Sequence, residues 1–227
     1  MKTLRLALWI ARKDLRLELR SRQNFLTVLF FAFIVIIVFN FAFDPGSPAI
    51  AEVSPAILWV AFLFAGMLSL GNAFAMERED ACMLGLLLAP VERGVIFLGK
   101  LLANLLFLLA MEVVIFPIFV IFFNVNLRGG FFWFLLIVLL VDLGFVAVGT
   151  LFSAMTMSLK TREVLLPILL FPVVVPVVIA GVKATAGVFG GGGLPAIAGW
   201  LKVLVGFDLI FVLLCYSVFQ YVVEESN

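Results

Sequence analysis

From residue 25 onward the chain is a succession of long apolar runs separated by short polar intervals. The runs fall at about Phe25–Phe43, Ser54–Met76, Phe97–Phe123, Phe131–Met157, Val164–Gly181 and Leu201–Val223. A bilayer's hydrocarbon core is about 30 Å thick, and about 20 apolar residues in a helix cross it. Six crossings leave little polar chain for a separate soluble domain. Composition agrees: 13% of residues are charged, where a soluble domain carries about a quarter. The expected architecture is all-α, with six transmembrane helices in one domain over residues 23–227. No basic tail or interleaved aromatic-basic surface points to nucleic acid.

Residues 1–22 precede the first run and predict an amphipathic helix. Leu4, Leu8, Ala11, Leu15 and Leu19 recur at helical spacing. Arg5, Arg12, Arg16 and Arg20 line an adjacent face, suited to anionic head groups at a membrane surface. The charged region is too long for a signal peptide, and no small-residue cleavage site follows the first apolar run.

Several details of the spans follow from local chemistry. Asp44-Pro-Gly-Ser is a turn sequence, and Ser54-Pro55 suits the start of a helix. Gly66, Ser69, Gly71 and Ala73 would let a neighbouring helix approach closely. Pro167, Pro172 and Pro176 predict a kinked or partly unwound fifth span. Lys183–Trp200, with Gly190–Gly193 and Pro195, reads as the least regular stretch: a flexible loop, or short helices that dip into the membrane and return. No internal repeat is evident. With both termini inside, twelve of the fifteen lysines and arginines fall on the inner side, which fixes the orientation. Trp59, Trp133 and Trp200 then sit near the outer ends of spans two, four and six, where an aromatic belt belongs.

Chemistry-bearing residues are few. Histidine is absent, which removes the commonest metal and haem ligand and the usual general base. Cys82 and Cys215 form no metal or redox motif. Ser153 and Ser158 have no histidine partner, and scattered methionines in apolar helices are packing residues. No catalytic residue, metal site or bound cofactor is expected. Gly94-x-x-x-x-Gly99-Lys100 approaches a phosphate-binding loop, but Leu101 replaces the Ser or Thr that holds magnesium. A nucleotide-driven version of this protein needs a separate ATP-binding subunit.

Three acids lie within spans: Glu112, Asp142 and Asp208. A carboxylate in the membrane centre costs about 2.5–3.5 kcal/mol, so each should face protein or water. Counting from the span ends puts Glu112 and Asp142 at similar depth, close enough to meet, and Asp208 nearer the outside. They serve either a transport interior or interhelical packing; Asn104 is read as packing.

Met76–Arg93, MEREDACMLGLLLAPVER, is the polar interval with the most structure of its own. It is charged at first, then a short helix candidate over Ala81–Leu88, interrupted by Gly85 and stopped by Pro90. Glu77-Arg-Glu-Asp, Gly85-Leu-Leu-Leu-Ala-Pro90 and Gly99-Lys100-Leu-Leu-x-Asn104 resemble the B subunit of the cytochrome c maturation system, the haem exporter protein B family. The resemblance implies an ABC-transporter permease of the ABC-2-like architecture in the bacterial inner membrane, present in two copies. It implies a coupling helix at Glu77, Arg78, Glu79, Asp80, Gly85, Leu86, Leu87, Leu88 and Pro90, docked on a cytosolic ATP-binding A subunit. It further implies the C and D subunits and a haem chaperone as partners, with haem as a cargo. Haem export and release of the loaded chaperone both remain open. So do two rivals: a permease for a lipid or drug, and a proton-driven secondary transporter working through Glu112 and Asp142.

Overall fold

The computed structural model describes residues 2–43, 48–79, 92–125, 130–157, 159 and 161–225. Among them lie seven helices and no strand: α1 Lys2–Arg20, α2 Arg22–Ala42, α3 Pro48–Glu79, α4 Arg93–Phe123, α5 Phe131–Thr156, α6 Arg162–Phe189 and α7 Gly193–Glu225. Helices α2 to α7 are each long and apolar enough to cross a membrane. Successive spans α2 to α7 run in opposite directions, and α1 packs at the start of α4, so the ends of α3, α5 and α7 share a face with α1. We call this the N-terminal face.

The helices pack in a bundle in which α3 and α5 are the most enclosed. α4 touches α1, α2, α3, α5 and α7. α2 is peripheral and buries one stripe, Val28, Ala32 and Ile36, against the bundle. Its other side is apolar and exposed, as expected of a helix whose solvent is lipid. Two apolar clusters fill the interior. One, around Leu58, Trp59, Met111, Phe119 and Ile137, occupies the half remote from α1. The other, around Leu70, Phe97, Phe145, Leu170 and Phe219, occupies the half near it.

Small residues set the helix spacing, because they let backbones approach where lipid supplies no hydrophobic drive. A Cβ on Gly66 would stand 2.5 Å from the Phe145 ring, so α3 and α5 meet there, as its sequence context predicts. Gly71 does not act this way: nothing lies within 4 Å of a Cβ built on it.

Four expectations need correction. The third helix begins at Pro48 rather than at Ser54, which is buried inside it. α6 is not unwound: it is one helix from Arg162 to Phe189 across its three prolines. Lys183–Trp200 is not irregular: α6 continues to Phe189 and α7 starts at Gly193. The turn between them is a tight helix stop, in which Gly192 N–H donates to the Gly187 carbonyl at 3.0 Å and Gly191 N–H to Val188 at 3.0 Å. Gly191, at φ +73°, occupies the left-handed position this termination requires. Finally, Trp59 is buried rather than placed in a lipid-facing belt, and its indole N–H donates to Thr185 Oγ1 at 2.9 Å.

The 33 residues of α7 span about 50 Å, well beyond one hydrocarbon core. The α6–α7 tip lies at the end of the bundle opposite α1, and Lys183 and Lys202 are exposed on the sides of the two helices that lead to it.

Candidate functional site

The stretch singled out by sequence, Met76–Arg93, joins α3 to α4 on the N-terminal face. α3 continues through Glu79, so Glu77, Arg78 and Glu79 stand in its last turn rather than in a connecting loop. Asp80, Gly85, Leu86, Leu87, Leu88 and Pro90 lie outside the described residues.

The other end of this connection, the base of α4, is built in detail. Gly94 accepts the Tyr216 ring, which would lie 2.5 Å from a Cβ there. Gly99 accepts α1: Ile10 Cβ would lie at 2.7 Å and the Ala7 carbonyl at 3.1 Å. The near-match to a phosphate loop is thus helical from Arg93 onward, and its glycines are seats for α7 and α1. Lys100 is buried and pairs with Asp14 of α1 at 3.6 Å, while Lys13 holds the same carboxylate at 2.9 Å. Phe97 packs on Tyr216 and Phe219. α1 and α7 are therefore fixed to the same first two turns of α4.

This arrangement revises the face of α1. Its buried residues are Ala7, Ile10, Ala11 and Glu18, with Asp14 beside them, whereas Leu8 and Leu19 of the predicted stripe are exposed. Arg5, Arg12, Arg16 and Arg20 are all exposed, as a head-group-facing set requires. Asp14 and Lys100 were missed as a pair. The signal available was an acid on an otherwise basic helix and a lysine inside an apolar run.

The intramembrane acids come together in part. Glu112 and Asp142 are both buried and neighbour each other across the α4–α5 interface. No hydrogen-bond donor reaches either Glu112 oxygen or Asp142 Oδ2. Each lies eleven residues, about 16 Å, from the end of its helix remote from α1. Two turns towards the N-terminal face, Asn104 Nδ2 donates to Thr150 Oγ1 at 3.0 Å across the same interface, the packing role expected of it. Asp208 does not sit nearer the outside. Because α7 starts at Gly193, Asp208 lies about 22 Å along it. It faces α5 at Gly144, where its Oδ1 would be 2.6 Å from a Cβ. Gly144 is two residues beyond Asp142 towards the N-terminal face.

Among the described residues no group of three His, Cys, Asp or Glu side chains could hold a metal ion. Cys215 is buried and unpaired by any disulfide. A cavity of about 480 Å³ opens between α2, α3, α5 and α6 on the side of the N-terminal face. A second, of about 440 Å³, lies at the opposite end near Glu52, Asn124 and Phe189.

Six apolar crossings, a basic surface helix locked to their base and buried polar contacts between helices define a multi-pass α-helical membrane protein. Residues 5–224 match the family described as CcmB protein, and the chain belongs to that family. It is 31% identical to heme exporter protein B of Rhodobacter capsulatus over 171 residues, covering 75% of this chain and 78% of that one. It is 32% identical to heme exporter protein B of Pseudomonas aeruginosa over 170 residues, covering 74% and 75%. Its likeness to the protein of the same name from Haemophilus influenzae is 27% over 171 residues, 75% and 76% of the two chains.

Proposed function

We propose that this chain is the permease subunit of a haem export system of the cytochrome c maturation type, driven by ATP that a separate cytosolic subunit hydrolyses. The observation that carries this reading is the family match over residues 5–224, nearly the whole chain. The architecture supports it. A push on the segment between Glu79 and Arg93 is delivered to α3 and α4 together, and α4 in turn grips α1 and α7. Force applied there reaches four helices without a soluble domain.

In this reading the N-terminal face is cytosolic, the membrane is the bacterial inner membrane, and Glu77, Arg78, Glu79, Asp80, Gly85, Leu86–Leu88 and Pro90 form the contact with the ATP-binding A subunit. The C and D subunits and the haem chaperone complete the assembly, and two copies of this chain form its membrane core. Haem is cargo rather than a resident cofactor. ATP hydrolysis either moves it or releases the loaded chaperone.

The test is co-purification of the full chain in mild detergent with an ATP-binding subunit. Charge reversal at Glu77, Glu79 and Asp80 is expected to release that subunit while the permease stays monodisperse. Retention of the subunit after reversal overturns the contact.

The meeting of Glu112 and Asp142 favours a second reading, a transporter coupled to protons through that pair. It requires transport without any ATPase and loss of transport in Glu112→Gln. Transport that persists in Glu112→Gln and stops with an ATPase-dead partner excludes it.

A further inference from the structure

The cavity on the N-terminal side is apolar except at one edge. Phe31 of α2, Phe64 and Met67 of α3 and Leu166 and Pro167 of α6 supply most of its wall. The polar edge comes from Ser153 and Thr156 of α5 and Arg162 of α6. Thr156 is satisfied, since its hydroxyl donates to the Phe152 carbonyl at 2.8 Å. Ser153 is not. It is 2% exposed, and its Oγ has no hydrogen-bond partner. A serine in a helix ordinarily bonds a carbonyl one turn back. Nη1 of Arg162 is likewise buried and without an acceptor.

An arginine cannot shed its proton, so its buried N–H groups need an acceptor, and an anionic oxygen is the strongest. Two unsatisfied donors at one edge of an apolar cavity specify a ligand with an acidic group at one end and an apolar body at the other. The volume lies within the ordinary range for small-molecule sites, about 300–1,000 Å³. Gly71 lines the same space, and the absence of any atom within 4 Å of its Cβ position leaves the cavity open on that side.

We propose that this cavity binds the acidic end of an amphiphile, with Arg162 and Ser153 donating to a carboxylate or phosphate oxygen and Phe31, Phe64 and Met67 packed on the apolar body. Two sources carry that chemistry: the head group of an anionic phospholipid, and a propionate of a porphyrin. The porphyrin source rests on the proposed function; the phospholipid source does not.

The experiment uses the full chain in detergent and in nanodiscs, with two matched pairs of probes. Phosphatidylglycerol is compared with phosphatidylcholine by mass spectrometry of retained lipid. Ferric protoporphyrin IX is compared with its dimethyl ester by absorbance titration. In the wild type at least one acidic probe is expected to bind about tenfold or more tightly than its neutral counterpart. Arg162→Gln removes the charge, and Gly71→Leu fills the cavity from a position with room for it. Both should abolish the preference, while Gly199→Leu, on an open and exposed stretch of α7, should not. A phosphatidylglycerol preference identifies a lipid site, and a protoporphyrin preference a porphyrin site. No preference for either acid, or a preference that survives in either variant, overturns the proposal. These readings are independent of whether an ATPase co-purifies.

Discussion

Gly66 and Glu112 show how single residues control this bundle in opposite ways. At Gly66 there is no room, since a Cβ would stand 2.5 Å from the Phe145 ring. Gly66→Leu must separate α3 from α5, and overpacking of this kind costs about 1–3 kcal/mol. A lowered midpoint of thermal unfolding in detergent is expected, with Gly199→Leu unchanged. At Glu112 the requirement is polar. A hydrogen bond between two carboxyl groups needs a proton on one of them, whereas a glutamine brings its own donor. Glu112→Gln should therefore unfold near the wild-type midpoint. Glu112→Leu should lose about 1–3 kcal/mol, because it leaves Asp142 buried without its partner. The same measurement checks both. Equal losses in the two variants would mean that the pair does not hydrogen-bond. The meeting of these acids was legible in sequence, because equal counts from the ends of two antiparallel helices place residues at one depth. The position of Asp208 was not, because it depended on where α7 begins.

At the scale of the helix, the extents of most spans could be read from hydropathy, but their faces could not. In water the large apolar side chains of an amphipathic helix mark its buried face. Here lipid takes the leucines and the bundle takes the small residues, so Leu8 and Leu19 point away while Ala7 and Ala11 pack on α4. Lys183–Trp200 misleads for a related reason. Its glycines read as a break, yet only the three at Gly190–Gly192 interrupt the helices, and Ala184 and Ile197 on either side are fully buried. The docking of α1 gives the prediction at this scale. Lys100→Met leaves Asp14 on the packed face with only the more exposed Lys13 to pair with, and losing one charged partner there costs about 1–3 kcal/mol. Faster hydrogen exchange confined to α1 is expected. Adding Asp14→Leu removes the weakly paired charge from the packed face and should slow the exchange again. If exchange in α1 is the same in all three proteins, the pair does not hold the helix.

For the whole molecule, what sequence conveyed was the number of crossings; what it could not convey was any space enclosed by several helices. The cavity beside Arg162 draws its wall from α2, α3, α5 and α6, and Arg162 by itself reads as one more basic residue in a short connection. Sidedness rests on charge. By sequence, twelve of the fifteen basic residues fall in the segments read as lying on the α1 side, and two of the remaining three, Lys183 and Lys202, lie on helix sides rather than in a loop. Basic residues flanking spans resist translocation, so this pattern predicts the α1 end in the cytosol and the α6–α7 tip outside. Single cysteines at Gln23, next to α1, and at Leu194, beside the tip, test this in a Cys82→Ser background; both positions are exposed and the remaining Cys215 is buried. A membrane-impermeant maleimide applied to cells with a permeabilised outer envelope and an intact inner membrane should label Leu194→Cys. Gln23→Cys should react only after the inner membrane is opened. The reverse pattern would put the Glu79–Arg93 connection on the side without ATP, and no nucleotide-driven partner could then act through it.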